Sequence, residues 1–332
     1  MLRRRWKTLK HIVILALLWL VDRLMRVLPL AGARRLGEGL GRAFFALVPY
    51  ERRKTLDTLA RAFPDAEPAW RLGTARAVFG HLGRSGAEFF RMADMDADAI
   101  DAWVGTVRGW DQAAAQLGAG RGIVFVTAHL GHWELLGAWT ARRAPVGVVA
   151  RQIYDARLDQ VLIDRRRQHG VEVFSRNTAV RPILRWLKDG KVLGTLADQD
   201  TGVDSLYVDF FGQPAKTPSG PAVLAQATGA ALLTAWCTRR TDGRYDLDFG
   251  APIPVPPRGA GGALELWPVV QEYTRQTEAA VRRSPQLWAF NHARWRSDIR
   301  KPSTGWDPRQ ADACLGRIDA WVAAGRPPLG VA

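Results

Sequence analysis

Short β-branched segments alternate with amphipathic segments from Gly122 onward, and this alternation constrains the fold more than any other feature of the chain. Strands that alternate with helices favour a parallel sheet with helices on its faces. We therefore predict a layered α/β/α domain with a mixed, mostly parallel sheet. The predicted strands are Ile123–Ala128, Val146–Ala150, Val171–Phe174, Val192–Ala197, Leu206–Phe210, Ala231–Thr238 and Tyr245–Phe249. The predicted helices are Glu134–Arg143, Ala156–His169, Ala179–Asp189, Pro221–Gly229 and Leu264–Arg283.

The part of the chain before this alternation has a helical pattern. Apolar residues recur there at spacings of three and four, as at Leu36, Leu40, Phe44 and Leu47. We predict an N-terminal segment at residues 1–33, one folded domain at 34–301 and a C-terminal extension at 302–332. Within the domain, residues 34–118 form a helical lead and residues 119–301 form the α/β part.

Residues 1–33 have the character of a membrane anchor. Basic residues crowd the first eleven positions, and residues 12–21 carry no charge before Asp22, Arg23 and Arg26 follow. The uncharged stretch is shorter than the roughly 20 residues of a spanning helix, so a single-pass and an interfacial anchor both fit. No small-x-small cleavage site follows it. We predict an uncleaved anchor whose basic end and folded domain face the cytoplasm; a buried N-terminal helix of a soluble protein is the alternative.

The charge balance indicates anionic partners. The 332 residues include 47 Lys and Arg against 32 Asp and Glu, which gives a formal charge of +15 and a pI near 10.7. Between Trp139 and Lys191 there are twelve basic and five acidic residues. Such a region attracts phosphorylated lipids, an acidic leaflet or an acidic carrier protein. Nucleic-acid-binding proteins share this charge, but the sequence has no zinc-finger, RNP-type or helix-turn-helix signature.

Several other classes of protein are disfavoured by what the sequence lacks. Cys237 and Cys314 form no CxxC motif, which argues against a disulfide scaffold and a zinc cluster and favours a reducing compartment. No GxSxG motif occurs, which argues against a serine hydrolase on the same layered fold. We expect no metal site and no cofactor.

The segment FVTAHLGHWELLGAW, which begins at Phe125, carries the clearest candidate chemistry. His129 follows a predicted strand, and ligand groups in parallel α/β folds collect at the carboxyl ends of strands. Glu134 lies in the first turn of the next helix, where its carboxylate can fold back towards the imidazole as the partner of a general base. The simpler alternatives are that His129 caps the turn and Glu134 complements the helix dipole. A metal site of His132 and Glu134 lacks a third ligand.

Six segments, in their order along the chain, resemble the bacterial lipid A biosynthesis acyltransferases, which add secondary acyl chains to the lipid A precursor. They are the basic N-terminus, TAHLGHWE at Thr127–Glu134, the segment with Arg151 and Arg166, LADQD at Leu196–Asp200, FFGQPAKTPSGPA at Phe210–Ala222 and LWAFNHARW at Leu287–Trp295. The related glycerol-phosphate acyltransferases usually carry a later Glu-Gly-containing phosphate motif, which this chain lacks. The resemblance therefore favours the lipid A branch.

The resemblance implies a catalytic role for three residues. His129 would remove the proton from an acceptor hydroxyl, and Glu134 would hold the imidazole in position. Arg166 would stabilise the oxyanion or position a phosphate beside it. Arg165 and Arg167 point elsewhere on a helix, so we expect them on a solvated face.

The resemblance also implies substrates and their contacts. The donor would be an acyl carrier protein or acyl-CoA thioester, and the acceptor would be an anionic glycolipid, a lipid A precursor, at the cell inner membrane. Arg151, Asp198 and Asp200 would bind substrate, although the aspartates fit plain turn chemistry at a strand end equally well. Acylation of another lysophospholipid or glycolipid is the main alternative function, and nucleic-acid binding is a remote one.

Overall fold

The computed structural model describes residues 20–152, 155–176, 180–259, 262–301 and 308–327. Residues 20–27 are helical, and most of the predicted anchor lies outside the described residues. Within the described ranges, no helix has both the length and the apolar character needed to cross a bilayer.

Helices build the first part of the described chain, as predicted. They are α1 (Leu30–Leu47), α2 (Pro49–Ala62), α3 (Pro68–Met92) and α4 (Ala97–Ala102). Helices α1 and α3 cross closely because Gly41 and Gly83 place no side chain between the two backbones. A Cβ added at Gly41 would overlap the carbonyl oxygen of Phe79, so glycine is required at that crossing.

Most strands of the α/β part form one sheet. The strands are β1 (Val104–Arg108), β2 (Ile123–Thr127), β3 (Val146–Ala150), β4 (Val171–Ser175), β5 (Val192–Leu196), β6 (Ser205–Phe210), β7 (Gln213–Pro218), β8 (Ala231–Arg239) and β9 (Tyr245–Phe249). In the described part of the chain, the sheet order is β1-β9-β8-β2-β5-β3-β4. Its pairs are parallel apart from the antiparallel β8–β9 pair. The prediction of a mixed, mostly parallel sheet is therefore confirmed.

Helices cover both faces of the sheet. They are α5 (Trp110–Gly118), α6 (Trp133–Ala141), α7 (Ala156–Gln168), α8 (Val180–Lys188), α9 (Gly220–Thr228), α10 (Trp267–Arg283) and α11 (Pro308–Ala323). Val124 and Val126 of β2 pack with residues of α8 to α11. Ile123 and Phe125 point to the other face and pack with residues of α5 and α6, as the period of two in a strand requires.

Three strands differ from the sequence prediction. The helical lead was expected to extend to residue 118, but it contains β1, which lies at the sheet edge beside β9. The predicted strand at Leu206–Phe210 belongs to a separate antiparallel hairpin of β6 and β7. Strand β7 was missed because it contains Pro214 and Pro218, which suit a strand with only one neighbour.

The sheet order determines which loops meet. Strand β2 lies between β5 and β8, and Thr127 at the end of β2 is the register partner of Leu196 at the end of β5. Because the two strands are parallel, the residues that follow them emerge at the same edge of the sheet. His129 and Asp198 therefore leave the sheet side by side.

Candidate active site

The loop that carries His129 is fixed on both sides by backbone hydrogen bonds. The His129 carbonyl accepts from the N–H of Ala289 at 3.0 Å, and the Gly131 N–H donates to the Leu287 carbonyl at 2.9 Å. Gly131 has a φ of 65°, and a Cβ there would overlap the carbonyl oxygen of Cys237. The loop is therefore held in one conformation that only glycine permits.

Asp198 is the carboxylate that holds the His129 ring. Its Oδ1 lies 2.8 Å from His129 Nδ1, and its Oδ2 accepts from the His129 backbone N–H at 2.8 Å. The indole N–H of Trp288 also donates to Oδ2 at 2.8 Å. Burial alone would raise the pKa of Asp198, but the charge and hydrogen bonds of His129, with the Trp288 bond, hold it well below its usual range. Asp198 is therefore an anion throughout the neutral range.

The ionised Asp198 determines the tautomer of His129. A carboxylate only accepts hydrogen bonds, so Nδ1 of the imidazole must carry the proton that lies between them. In the neutral ring, Nε2 then has a free lone pair. The His129 side chain is 18% exposed and lines a cavity. His129 is thus arranged to accept a proton.

Glu134 does not occupy the position that the sequence led us to expect. We predicted that it would hold the His129 ring, but both of its oxygens bind Arg166. Arg166 Nε lies 3.0 Å from Oε2 and Nη2 lies 2.7 Å from Oε1. The prediction was wrong on this contact because residues on neighbouring strand ends approach His129 more closely than the first turn of the next helix does. Glu134 and Arg166 still line the same cavity as His129.

Arg166 and its two neighbours have three different environments. Burial opposes the charge of Arg166, but the paired Glu134 raises the pKa of its guanidinium, which stays charged. Arg165 also lines the cavity and pairs with Asp22 at 2.7 Å, with only 14% of its side chain exposed. The expectation that Arg165 lies on a solvated face was wrong. Arg167 pairs with Glu172 at the surface, as expected.

Asp198, which we predicted to bind substrate, binds His129 and Trp288 instead with both oxygens. Of the other two predicted substrate contacts, one lines the cavity and one holds a loop. Arg151 is exposed and lines the cavity. Asp200 is buried, and its carboxylate accepts from the Ser297 N–H at 2.6 Å and the Ser297 hydroxyl at 2.9 Å. Since both oxygens are used, Asp200 holds the loop around Ser297, which agrees with the turn chemistry considered as its alternative role.

Two residues at the site were not identified from the sequence. The side-chain nitrogen of Gln199 lies 3.2 Å from Nε2 of His129 and 2.8 Å from Nδ1 of His292. The two imidazole rings are 4.6 Å apart between centroids. Gln199 lies between the aspartates of the LADQD segment, and His292 lies in the LWAFNHARW segment. Both segments carried the family resemblance, so the available signal was their position in those motifs.

His132 lies behind the loop instead of in the cavity lining. It is buried, and its Nδ1 accepts from the Leu135 N–H at the start of α6. Burial lowers the pKa of His132 to about 4, although Glu88 lies 4.0 Å from its Nε2. Its role is to cap the helix. Within the described ranges, no group of three or more His, Cys, Asp or Glu side chains is placed to hold a metal ion.

A cavity of about 680 Å³ opens beside His129. Its lining is mainly apolar, and residues from helices α3, α6 and α7 and from strand β3 contribute to it: Phe89, Met92, Leu136, Leu162, Val146 and Val148. The polar lining includes Arg151, Arg165, Arg166 and Gln199. The site therefore combines an oriented base, an apolar compartment and a group of cations.

Comparisons with known proteins agree with this combination. The protein is 33% identical over 198 residues to a phosphatidylinositol mannoside acyltransferase of Mycobacterium tuberculosis (strain CDC 1551 / Oshkosh), covering 57% of this chain and 61% of that protein. It is 27% identical over 229 residues to the enzyme of the same name from Mycolicibacterium smegmatis (strain ATCC 700084 / mc(2)155), covering 68% of this chain and 73% of that protein. Residues 3–297 match the family described as bacterial lipid A biosynthesis acyltransferase, and the chain belongs to that family.

Proposed function

We propose that this protein is an O-acyltransferase that moves a fatty acyl chain from a thioester to a hydroxyl of an anionic glycolipid. The observation that carries the proposal is His129, whose Nε2 is made a hydrogen-bond acceptor by Asp198 at the edge of a mainly apolar cavity. An alcohol is a weak nucleophile until a base takes its proton. An acyl chain needs an apolar compartment that excludes water.

In the proposed reaction, Nε2 of His129 takes the proton of the acceptor hydroxyl as its oxygen attacks the thioester carbonyl carbon. The new carbon–oxygen bond forms while the carbonyl electron pair moves onto oxygen. When the pair returns, the carbon–sulfur bond breaks, and the leaving thiolate takes the proton from Nε2. Asp198 stabilises the imidazolium between these two proton transfers, as the carboxylate of a catalytic triad does.

The arginines of the cavity wall support an anionic substrate. Arg166 donates one N–H from Nε and one from Nη2 to Glu134, so the N–H groups of Nη1 and the second N–H of Nη2 remain for a substrate oxygen. Arg151 and Arg165 line the same cavity. A bound phosphate would be recognised by such guanidinium groups through charge-assisted hydrogen bonds. We assign Arg166 to positioning of that phosphate, the second of its two expected roles.

The acceptor has two candidate identities within the class of phosphorylated glycolipids. The family description favours a lipid A precursor. The mycobacterial relatives, which are named for acylation of phosphatidylinositol mannoside, favour a mannosylated phosphatidylinositol. We favour the second acceptor because those relatives match individual residues over more than half of this chain. The M. tuberculosis match spans 61% of that relative. Assigning the relative's acceptor to this protein is therefore part of the proposal.

The proposal places the protein at the cytoplasmic face of a membrane. Leu40, Phe44 and Leu47 lie on one face of α1 and are 51%, 48% and 79% exposed. Residues 20–27, whose Asp22 binds Arg165, also present exposed apolar side chains, and Arg165 lines the cavity. An apolar helix face of this kind lies in the lipid interface. Together these features support a membrane surface next to the cavity, and the buried free cysteines suit a reducing compartment.

A reconstituted assay tests the proposed activity. The purified full chain is incubated with an acyl-CoA or an acylated carrier protein, and with phosphatidylinositol mannoside or a lipid A precursor in mixed micelles. Mass spectrometry of the lipids then detects an added acyl chain, and His129→Ala protein is the matched control. We expect acylation of phosphatidylinositol mannoside that depends on His129. Transfer to the lipid A precursor alone would correct the acceptor, and transfer to neither lipid would contradict the function.

Sedimentation with vesicles tests the membrane face. The triple variant Leu40→Ser, Phe44→Ser and Leu47→Ser is compared with the wild type on vesicles of phosphatidylglycerol and phosphatidylcholine. Val107→Ser, which changes an exposed apolar residue of the edge strand β1, is the matched control. We expect the triple variant to lose several-fold of the bound fraction while the control binds normally. Equal binding of all three proteins would count against α1 as the membrane face.

A further inference from the structure

Gln199 lies against the ring of His129 that takes the proton. Its side-chain nitrogen is 3.2 Å from Nε2 and 3.3 Å from Nδ1 of that ring, and the residue lines the cavity. The same nitrogen lies 2.8 Å from Nδ1 of His292, whose ring stacks at an angle against that of His129. A primary amide thus lies between two imidazoles, next to the position of the acceptor hydroxyl.

The hydrogen-bond roles in this group follow from Asp198. Because His129 keeps its proton on Nδ1, Nε2 is the ring nitrogen of His129 that can accept a hydrogen bond from Gln199. The NH₂ end of the Gln199 amide fits this position, and its second N–H donates to Nδ1 of His292. His292 is half-buried, and burial with the nearby His129 lowers its pKa to about 4. His292 therefore remains a neutral acceptor near pH 7 and fixes the direction of the amide.

The structure assigns Gln199 as a further catalytic residue, which donates an N–H to the oxyanion that forms on the thioester carbonyl, and His292 as the residue that positions it. This inference rests on the proposed acyl transfer. The carbonyl carbon must approach the attacking oxygen to about 3 to 3.5 Å before reaction. With that oxygen at Nε2, the carbonyl oxygen comes within reach of the amide nitrogen, which has little freedom between the two rings.

Proton transfer changes which partner the Gln199 N–H can have. Before the reaction, the lone pair on Nε2 can accept a hydrogen bond from the amide or from the acceptor hydroxyl. Once Nε2 has taken the hydroxyl proton, it has no lone pair to offer. At that moment the carbonyl oxygen gains the electron pair of its double bond and becomes the strongest acceptor nearby. The interaction is therefore stronger in the transition state than in the bound substrate, which is the condition for rate acceleration.

The geometry favours Gln199 over Arg166 for this role. Arg166 uses Nε and Nη2 for Glu134, and its cavity position is set by that pair. The Gln199 side-chain nitrogen lies 3.2 Å from the proton-accepting Nε2 and 3.3 Å from Nδ1 of the same ring, so it is next to the reacting atoms. A neutral amide donor also avoids placing a cation beside the imidazolium that forms on His129, which would oppose proton transfer.

Steady-state kinetics of the full-length protein test the assignment. The probes are an acyl-CoA thioester and phosphatidylinositol mannoside, with turnover measured for Gln199→Ala and the isosteric Gln199→Glu. Gln112→Glu, an exposed position on α5, is the matched control. We expect Gln199→Ala to lower kcat on the order of 10²- to 10³-fold while KM changes by less than about threefold. Gln199→Glu should lose at least as much, because a carboxylate repels the oxyanion, and the control should keep full activity.

Variants of His292 test the positioning role separately. His292→Phe keeps a ring but loses the acceptor, and we expect kcat to fall about tenfold with KM unchanged. His292→Asn, whose carbonyl can accept from the amide, should restore part of that loss.

Different results would contradict the role of Gln199 and the acyltransferase function. Full kcat in Gln199→Ala and Gln199→Glu, or a change in KM alone, would overturn the Gln199 assignment while leaving the acyltransferase function intact. A wild-type protein without transfer to either glycolipid would overturn both. Melting curves of each variant exclude loss of fold as the cause, and the isosteric Gln199→Glu keeps the test valid if Gln199→Ala does not fold.

Discussion

The two carboxylates of the site, Asp198 and Glu134, differ in their distance from His129 along the sequence and in whether they bind it. Glu134 is five residues from His129 and binds a cation on another helix, whereas Asp198 is 69 residues away and binds His129 with both oxygens. Asp198 also has the Trp288 N–H as a third donor. Proximity in sequence therefore did not select the partner of His129; the adjacency of β2 and β5 in the sheet did.

The largest expected effect follows removal of the proposed base. His129→Ala should lower kcat on the order of 10³- to 10⁴-fold, because the acceptor hydroxyl loses its proton acceptor. His132→Asn, which keeps a cap for the Leu135 N–H, should cost at most a few-fold in activity. Steady-state turnover of the two purified variants measures the difference, and comparable losses at both positions would contradict the assignment of His129.

The next largest effect distinguishes the two carboxylates. Asp198→Asn should lower kcat on the order of 10²- to 10³-fold, because the amide neither fixes the tautomer nor stabilises the imidazolium. The matched control is Asp242→Asn, which changes an aspartate in an exposed turn and should leave activity unchanged. Glu134→Gln should fall between them. If Glu134→Gln costs more than Asp198→Asn, the adjacency of strands is not what selects the partner of the base.

A smaller effect is expected at the arginine triplet. Arg166→Lys keeps the charge but loses the two parallel hydrogen bonds to Glu134, and we expect about a tenfold rise in KM for the anionic acceptor. Arg165→Lys should change activity only slightly because Asp22 can still pair with a lysine, and Arg167→Lys should be silent at the surface. Kinetics of the three lysine variants, at fixed ionic strength and varied acceptor concentration, test these expectations. Equal behaviour of the three lysine variants would indicate a purely electrostatic role.

We expect the smallest effect on activity at Asp209, a buried carboxylate without an imidazole partner. Its substitution instead tests how stability depends on pH. Burial raises the pKa of Asp209 to about 6, although Arg326 lies 3.5 Å from it. Because the folded state holds this proton more tightly than the unfolded chain, Asp209 lowers stability as the pH rises from about 4 to 6. Asp209→Asn should therefore raise the melting temperature at pH 7.5, and the gain should disappear near pH 4.

Asp198 has the opposite dependence. Its folded-state pKa is depressed, so its contribution to stability is complete above the ordinary aspartate pKa of about 4 and is lost as the pH falls further. Thermal melts of Asp209→Asn from pH 4 to neutral pH, and of Asp198→Asn from about pH 2 to neutral pH, check the two signs. A melting gain in Asp209→Asn that grows on acidification would show that its carboxylate is stabilised as an anion.

The sequence predicted individual elements better than it predicted their neighbours. The pattern of β-branched runs identified β2 to β5 to within a residue or two, and it placed His129, Asp198 and Asp200 after strand ends. It did not contain the strand order, so the contact between His129 and Asp198 was not predicted. Strand β1 was missed because its edge position leaves it without a buried apolar run.

Non-local contacts also explain the other differences at the site. His292 reaches His129 because the segment around Trp288 packs against the loop after β2 through backbone hydrogen bonds. Arg165 left the solvated face because Asp22 lies against it from the N-terminal segment. Helix periodicity gives the direction of a side chain, but it does not say which distant segment will cover that direction.

A double-mutant cycle between His129 and Asp198 tests the central claim most directly. If Asp198 acts only by orienting the imidazole and stabilising its protonated form, removing Asp198 does not lower kcat further once the imidazole is absent. The account therefore predicts that His129→Ala, Asp198→Asn protein turns over at the same rate as His129→Ala alone. A further loss in the double variant by the full factor seen for Asp198→Asn in the wild-type background would contradict it.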